Sequence, residues 1–238
     1  MPVKGFQGTS LLDYPARIAA LVFYSGCNMR CTYCHNAALV NTPDEYPDIP
    51  EDDVLDMVAA RRNFIDGVVI SGGEPTLDPA MPHLIERLKT LGMLIKLDTN
   101  GLRPQVLADL IQDGLLDFVS LDLKTAPQRY PALGAPTAAA ESLCESLEVL
   151  RQAEVEVELR TTCMPGYVEV EDIHALGGRL QSGDSWVLQQ FVSEYAMDET
   201  ARQVQSHTEA QMKELLRVAQ QYVPNTSMRG VRSLSDFP

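Results

Sequence analysis

Short apolar runs alternate with amphipathic stretches along most of the chain. The runs at 19–24, 67–71, 94–99, 118–123, 155–162 and 186–192 are β-branched or apolar and end in polar or turn-forming residues, which predicts six strands. Between them the apolar positions recur at helical spacing. Residues 52–62 follow Pro50 and put Val54, Met57 and Val58 on one side, and 81–91 repeats Leu84, Leu88 and Leu91 before a stop at Gly92. Further helices are predicted over 104–112, 138–153 and 172–180, with a long polar one over 199–222. Six strand–helix alternations argue for right-handed crossovers around a parallel sheet. The first strand begins near residue 19, and the chain is slightly shorter than the roughly 250 residues of a complete eight-unit barrel, so the expectation is an α/β, incomplete (β/α)6 TIM-like barrel. A flat doubly wound sheet has the same periodicity. No repeat or linker divides the chain, so 1–238 reads as a single domain, with a barrel core at 19–192 and a helical extension at 193–238.

Composition adds little to that picture, and charge narrows it. The chain carries 19 Lys and Arg against 33 Asp and Glu, a net charge of −14, which disfavours a nucleic-acid binder held by phosphates and disfavours anionic membranes. The N-terminus lacks an apolar signal core and no stretch is long enough to span a bilayer, so a cytoplasmic protein is expected. Three of the five cysteines fall within eight residues, a clustering that in a reducing compartment points to a metal or redox site.

The strand ends are polar. The first strand runs into Ser25-Gly26-Cys27, the second into Ser71-Gly72-Gly73-Glu74-Pro75, the third into Asp98-Thr99-Asn100-Gly101 and the fourth into Asp122-Leu123-Lys124, while the fifth carries Arg160. Ligands of barrels and open α/β sheets bind at these carboxyl ends. Period-two alternation sets Ser120, Asp122 and Lys124 on one face, and Arg160 on one face with Glu156 and Glu158. Taken alone, the Glu-Val-Glu-Val-Glu run also suits an edge strand with solvated charges, Asp98–Gly101 an Asn–Gly turn, and Asp122 with Lys124 a plain ion pair.

The sharpest signal is Cys27-Asn-Met-Arg-Cys31-Thr-Tyr-Cys34, a C-x3-C-x2-C loop after the first strand. Thiolates suit zinc and iron–sulfur centres, and three of them leave one coordination position open to a substrate or cofactor. His35 is an awkward fourth ligand because it adjoins Cys34. Cys144 reads as a buried thiol, Cys163 as packing beyond the fifth strand, and His83, His174 and His207 as surface or helix residues. Structural zinc is the plain alternative for the triad.

With Tyr33 just before its last cysteine, this loop resembles the signature of radical S-adenosylmethionine enzymes. The resemblance implies the fold of that family, with Cys27, Cys31 and Cys34 holding a [4Fe–4S] cluster whose unique iron binds S-adenosylmethionine, and Tyr33 near the adenine. The bound cofactor would be reductively cleaved to methionine and a 5′-deoxyadenosyl radical. Gly72, Gly73, Glu74 and Pro75 match the family's GGEP segment, whose backbone receives the methionine amino group. Cys34-His35-Asn36, Leu97-Asp98-Thr99-Asn100-Gly101 and Leu121-Asp122-Leu123-Lys124 are similar to segments of the glycyl-radical activases. By that likeness Asp122, Lys124 and Arg160 contact the cofactor, as do Asp98, Thr99 and Asn100, and Asp98, Thr99 and Asp122 frame a monovalent cation, with the Ser120 carbonyl a weaker candidate.

Gly5-Phe6-Gln7, Thr9–Pro15 and Leu188-Gln189-Gln190-Phe191 resemble the short activating proteins of anaerobic ribonucleoside-triphosphate reductase. The last strand lacks the His segment of pyruvate formate-lyase activators, and the cysteine-rich inserts of other activases are absent. The resemblance implies an oxidoreductase that abstracts hydrogen from a glycine of a partner enzyme, with a flavodoxin- or ferredoxin-like electron donor and no catalytic side chain beyond the cluster ligands. Activation of a different glycyl-radical enzyme such as pyruvate formate-lyase, a radical enzyme acting on a small molecule, and a zinc-binding interaction module remain as alternatives.

Overall fold

The computed structural model describes residues 1–231. Eight strands, β1 (Val3–Ser10), β2 (Ala19–Tyr24), β3 (Gly67–Gly72), β4 (Leu94–Thr99), β5 (Phe118–Asp122), β6 (Glu156–Cys163), β7 (Trp186–Gln190) and β8 (Ser227–Arg229), hydrogen-bond in sequential order. Around them run α1 (Ala37–Asn41), α2 (Glu51–Ala59), α3 (Met81–Thr90), α4 (Pro104–Gln112), α5 (Ala139–Arg151), α6 (Val170–Gly177), α7 (Glu199–Arg202) and α8 (Glu209–Ala219). The six expected βα strands are all present, in an α/β fold with a parallel sheet consistent with an incomplete barrel.

The chain falls into two compact units. The first holds Met1–Asn28, Asn36–Ser120 and Glu145–Glu156. Its parallel ladder sets Ala19 through Tyr24 of β2 beside Gly67 through Gly72 of β3, and Gly67 through Ile70 beside Leu94 through Leu97 of β4. β3 is covered on both faces, with Val68, Val69 and Ile70 fully buried, which is why it reads as an unbroken apolar run. One face of the ladder carries a cluster of Tyr14, Ala19, Leu21, Val69 and Phe118, joined by Phe23 and Leu94. Helices α2 and α3 bury Val54, Leu55 and Val58, and Met81, Leu84, Ile85 and Leu88. β1 pairs antiparallel with β2 and was not expected from the pattern. Half of its eight residues are half-buried, two are glycines, and its register shifts twice, so neither alternation nor an apolar run announces it.

The second unit holds Met29–His35, Leu121–Cys144 and the chain from Val157. Here Leu159 through Cys163 of β6 lie beside Trp186 through Gln190 of β7, and Val187 through Gln189 beside β8. The charges of β6 are not all solvated: Glu156 is exposed, but Glu158 is buried and ion-pairs with Arg229 of β8 at 2.7 Å. The segment beyond residue 192 is not wholly helical, and the single long helix expected over 199–222 is two. α8 starts afresh because Thr208 and Gln211 form a reciprocal capping box. Its neighbour His207, expected to be a surface or helix residue, precedes the helix and is buried with a ring nitrogen 3.0 Å from the Val168 carbonyl. The last part of the expected extension, 232–238, lies outside the described residues.

Candidate functional site

In the first unit, β2 leads into Ser25, Gly26 and Cys27, and the turn after β3 is stitched to this stretch. Gly73 N donates to the Tyr24 carbonyl and Glu74 N to the Gly26 carbonyl, both at 2.8 Å. A Cβ on Gly73 would meet the Gly26 oxygen at 1.8 Å, and one on Gly72, whose φ is +122°, would meet Tyr24 backbone at 2.3 Å. The two glycines thus let main chain approach main chain at the cysteine loop. Asn36 Nδ2 donates to the Gly72 carbonyl at 2.7 Å.

Glu74 is buried, only 1% exposed. It accepts from Thr76 N (3.2 Å), Thr76 Oγ1 (2.5 Å), Thr99 Oγ1 (2.8 Å) and Asn100 N (2.8 Å). Burial pushes its carboxyl above the ordinary value, against the opposing pull of those donors. Pro75 is buried at the start of a 3₁₀ turn. Asn100 Nδ2 lies 2.7 Å from Asn28 Oδ1 and 3.9 Å from Cys27 Sγ. Cys27, Gly72, Gly73, Glu74, Thr99 and Asn100 are therefore one connected arrangement. Asp98 accepts from Ser71 Oγ at 3.3 Å and ion-pairs with Lys96.

In the second unit, the rest of the cysteine loop is held by backbone bonds. Arg30 N donates to the Leu133 carbonyl (2.7 Å), Cys34 N to the Cys31 carbonyl (3.0 Å) and Asp198 N to the Thr32 carbonyl (2.9 Å). Tyr33 is buried between rings, with centroids at 5.7 Å to Tyr167 and 6.4 Å to Phe191, and its hydroxyl donates to the Lys124 carbonyl at 3.1 Å. The Lys124 amide in turn donates to Tyr130 Oη at 3.2 Å. Asp122 bonds Arg160 Nε and Lys124 Nζ, each at 2.7 Å. Burial alone would raise the Asp122 carboxyl, but Arg160 and Lys124 outweigh it and hold it well below the carboxylate range. Burial likewise works against the charged Lys124 ammonium, and Asp122 and then the Cys31 sulfur reverse that effect and raise it.

Sequence reasoning passed over Lys96 and Tyr167, and it used Phe191 only as the last residue of the Leu188–Phe191 likeness, not as a neighbour of Tyr33. Phe191 stands one residue beyond the end of β7. Cys163 is fully buried, its thiol donating to the Thr161 carbonyl at 3.7 Å, and burial pushes it up to about 12. Cys144, expected to be buried, is partly exposed, and Arg179 Nη1 reaches its sulfur at 3.3 Å. His83 is exposed beside Glu51, and His174 lies 2.9 Å from Tyr222 Oη.

The donor set suits an iron–sulfur cluster: five free thiols, three of them in one loop, with Cys31 buried and Cys27 and Cys34 half-buried. Two buried hydroxyl oxygens, Ser120 Oγ in the first unit and Thr32 Oγ1 in the second, have no hydrogen-bond partner among the described residues, leaving polar capacity for a bound group. Among the described residues no three His, Cys, Asp or Glu side chains gather as the ligands of a single metal ion. None of the described helices is long and apolar enough to cross a membrane.

The Radical SAM superfamily model matches residues 21–176. A Methanocaldococcus jannaschii protein assigned as a glycyl-radical enzyme activating enzyme is 31% identical over 235 residues, 96% of each chain. The pyruvate formate-lyase 1-activating enzyme of Escherichia coli is 30% identical over 184 residues, 74% of this chain and 73% of that one. Among solved structures, Streptococcus suis SuiB bound to precursor peptide SuiA superposes with a TM-score of 0.65 at 18% identity, over 88% of this chain and 48% of that one. Archaeal TYW1 superposes with a TM-score of 0.58 at 15% identity, over 86% and 72%. The cysteine loop and the turns knitted around it therefore sit in a chain that belongs to the radical S-adenosylmethionine superfamily, among the activating enzymes of glycyl-radical enzymes.

Proposed function

We propose that the chain activates anaerobic ribonucleoside-triphosphate reductase by generating its glycyl radical, and that Cys27, Cys31 and Cys34 hold the [4Fe–4S] cluster the family implies. The observation that carries the reading is the C-x3-C-x2-C loop fixed at the end of β2 by hydrogen bonds from the Gly73–Glu74 turn. When bound, the cluster and S-adenosylmethionine supply one-electron cleavage chemistry that ends in hydrogen abstraction from a glycine Cα. This chain's residues bind and orient. Gly72 to Pro75 offer main-chain groups to the methionine end of the cofactor. Asp122, Lys124 and Arg160 form a fixed, charge-paired surface that can exchange bonds with polar cofactor groups. Tyr33 packs the loop through Tyr167 and Phe191, and by the family likeness it would stand near the adenine of the bound cofactor.

The target is chosen on Gly5-Phe6-Gln7, Thr9–Pro15 and Leu188–Phe191, which resemble the short reductase activators. The 30% identity to a pyruvate formate-lyase activating enzyme supports that lyase as the second candidate. We further propose a single functional domain in the cytoplasm, with electrons from a flavodoxin- or ferredoxin-like donor and no role for nucleic acid or membrane.

The test begins with protein reconstituted anaerobically with iron and sulfide. Low-temperature EPR of the reduced form is expected to show a [4Fe–4S]+ signal that shifts when S-adenosylmethionine is added. Incubation with purified anaerobic ribonucleotide reductase is expected to give a glycyl-radical doublet, and incubation with pyruvate formate-lyase a weaker one or none. Zinc uptake in place of iron would overturn the cluster assignment, and a doublet on the lyase alone would overturn the target.

A further inference from the structure

β4 places Leu94, Lys96 and Asp98 on one face, opposite to Ile95 and Leu97, which are fully buried. Leu94 packs against the apolar cluster around Phe118, and Lys96 follows it inward. The Lys96 side chain is 2% exposed, its ammonium lies 5.8 Å from the Phe118 ring centroid, and among the described residues its one charged partner is Asp98, itself 13% exposed. A buried ammonium without a carboxylate is strongly unfavourable, so Lys96 and Asp98 hold each other in place. Asp98 also accepts from Ser71 Oγ, and the neighbouring Thr99 hydroxyl is engaged on both sides, donating to Glu74 and accepting from Gly101 N at 3.1 Å.

The Lys96–Asp98 pair does not fit the monovalent ion that the sequence resemblance implies at Asp98, Thr99 and Asp122. An added cation at Asp98 would stand against the Lys96 ammonium, and displacing that ammonium would leave it buried without a counter-charge. We propose that Lys96 is a built-in cation: it neutralises Asp98 from within the protein, as a positioning residue, and makes cofactor binding in this chain independent of K+ and Na+. The inference rests on the reading of this chain as a binder of S-adenosylmethionine.

The experiment compares potassium chloride with choline chloride at equal ionic strength, choline being too large to enter a carboxylate site. Two readouts are taken on the reconstituted protein: the dissociation constant for S-adenosylmethionine and the thermal midpoint without it. For the wild type, neither is expected to change between the salts. Loss of about tenfold in affinity in choline, restored by K+, would overturn the proposal, that being the scale of one charged contact. Lys96→Met, which keeps length and removes charge, is expected to lose about tenfold in affinity in choline. K+ or Na+ is expected to restore part of that loss, and the midpoint of the variant to rise with K+. A variant behaving like the wild type in both salts would overturn the role of Lys96. Should the variant fail to fold, the wild-type comparison decides alone. Should the wild type bind no S-adenosylmethionine in either salt, the cofactor reading falls, while the midpoints still test the Lys96–Asp98 pair.

Discussion

Buried in the turn after β3, the Glu74 carboxylate accepts four hydrogen bonds from three residues on two turns. Replacing it by Gln puts an amide donor against at least one of those donors. Glu74→Gln is expected to lower unfolding free energy by about 1–3 kcal/mol, read by urea denaturation, and to loosen Thr99 and Asn100. Asp122 yields the complementary prediction in pH. Its folded carboxyl titrates well below the ordinary 3.8, burial being outweighed by Arg160 and Lys124, so the unfolded chain takes up the proton first as pH falls. The stability it contributes is full above the ordinary aspartate value and is lost as pH drops through 3.8 toward the folded value. Asp122→Asn should flatten that part of the acid limb and cost about 1–3 kcal/mol at neutral pH, because two half-buried cations each lose a charged hydrogen bond. A variant with the wild-type acid limb would show that Asp122 is not the group responsible. These pairings were partly legible: alternation alone puts Asp122 and Lys124 on one face. The same alternation puts Lys96 and Asp98 together, but the residues 94–99 read first as an apolar strand, and nothing in a sequence says that a lysine is enclosed.

At the scale of elements, the ends of β2 and β3 are held closer than any side chain permits. Gly73→Ala would drive a Cβ into the Gly26 carbonyl oxygen at 1.8 Å, backbone against backbone, so the turn must move away from the cysteine loop. The expected result is loss of the Glu74 N to Gly26 bond, iron content well below wild type after reconstitution, and a lowered thermal midpoint. Full iron content in Gly73→Ala would mean that the loop is positioned by other contacts. α8 offers a milder case. Thr208→Ala removes one half of its capping box and should cost about 1 kcal/mol, measured by the same denaturation. The strands β2 to β7 were legible because buried strands are runs of branched apolar residues between polar ends. β1 and β8 were not, because one is a glycine-bearing edge with shifted register and the other is three residues long. The break between α7 and α8 is written in Thr208 and Gln211, a start signal inside a stretch whose polarity ran on unchanged.

For the whole molecule, the question is where a net charge of −14 is carried. Carboxylates that are buried or half-buried on the strands are matched by cations: Asp98 by Lys96, Asp122 by Arg160 and Lys124, and Glu158 by Arg229. Several exposed pairs, such as Arg217 with Glu214, are also closed, but pairs in water contribute little and are screened by salt. The excess of acidic over basic residues is therefore largely unpaired surface charge, which repels itself. Raising ionic strength from about 0.01 to 0.15 M shortens the Debye length from about 30 to 8 Å and should weaken that repulsion more than it weakens the buried pairs. The urea midpoint is expected to rise over this range, and to rise equally in potassium and choline salts because the effect is one of screening. A midpoint that falls with salt would mean that the surface ion pairs outweigh the excess charge. A rise confined to potassium would locate a specific cation site instead and, with Lys96 intact, would contradict the built-in cation at Asp98.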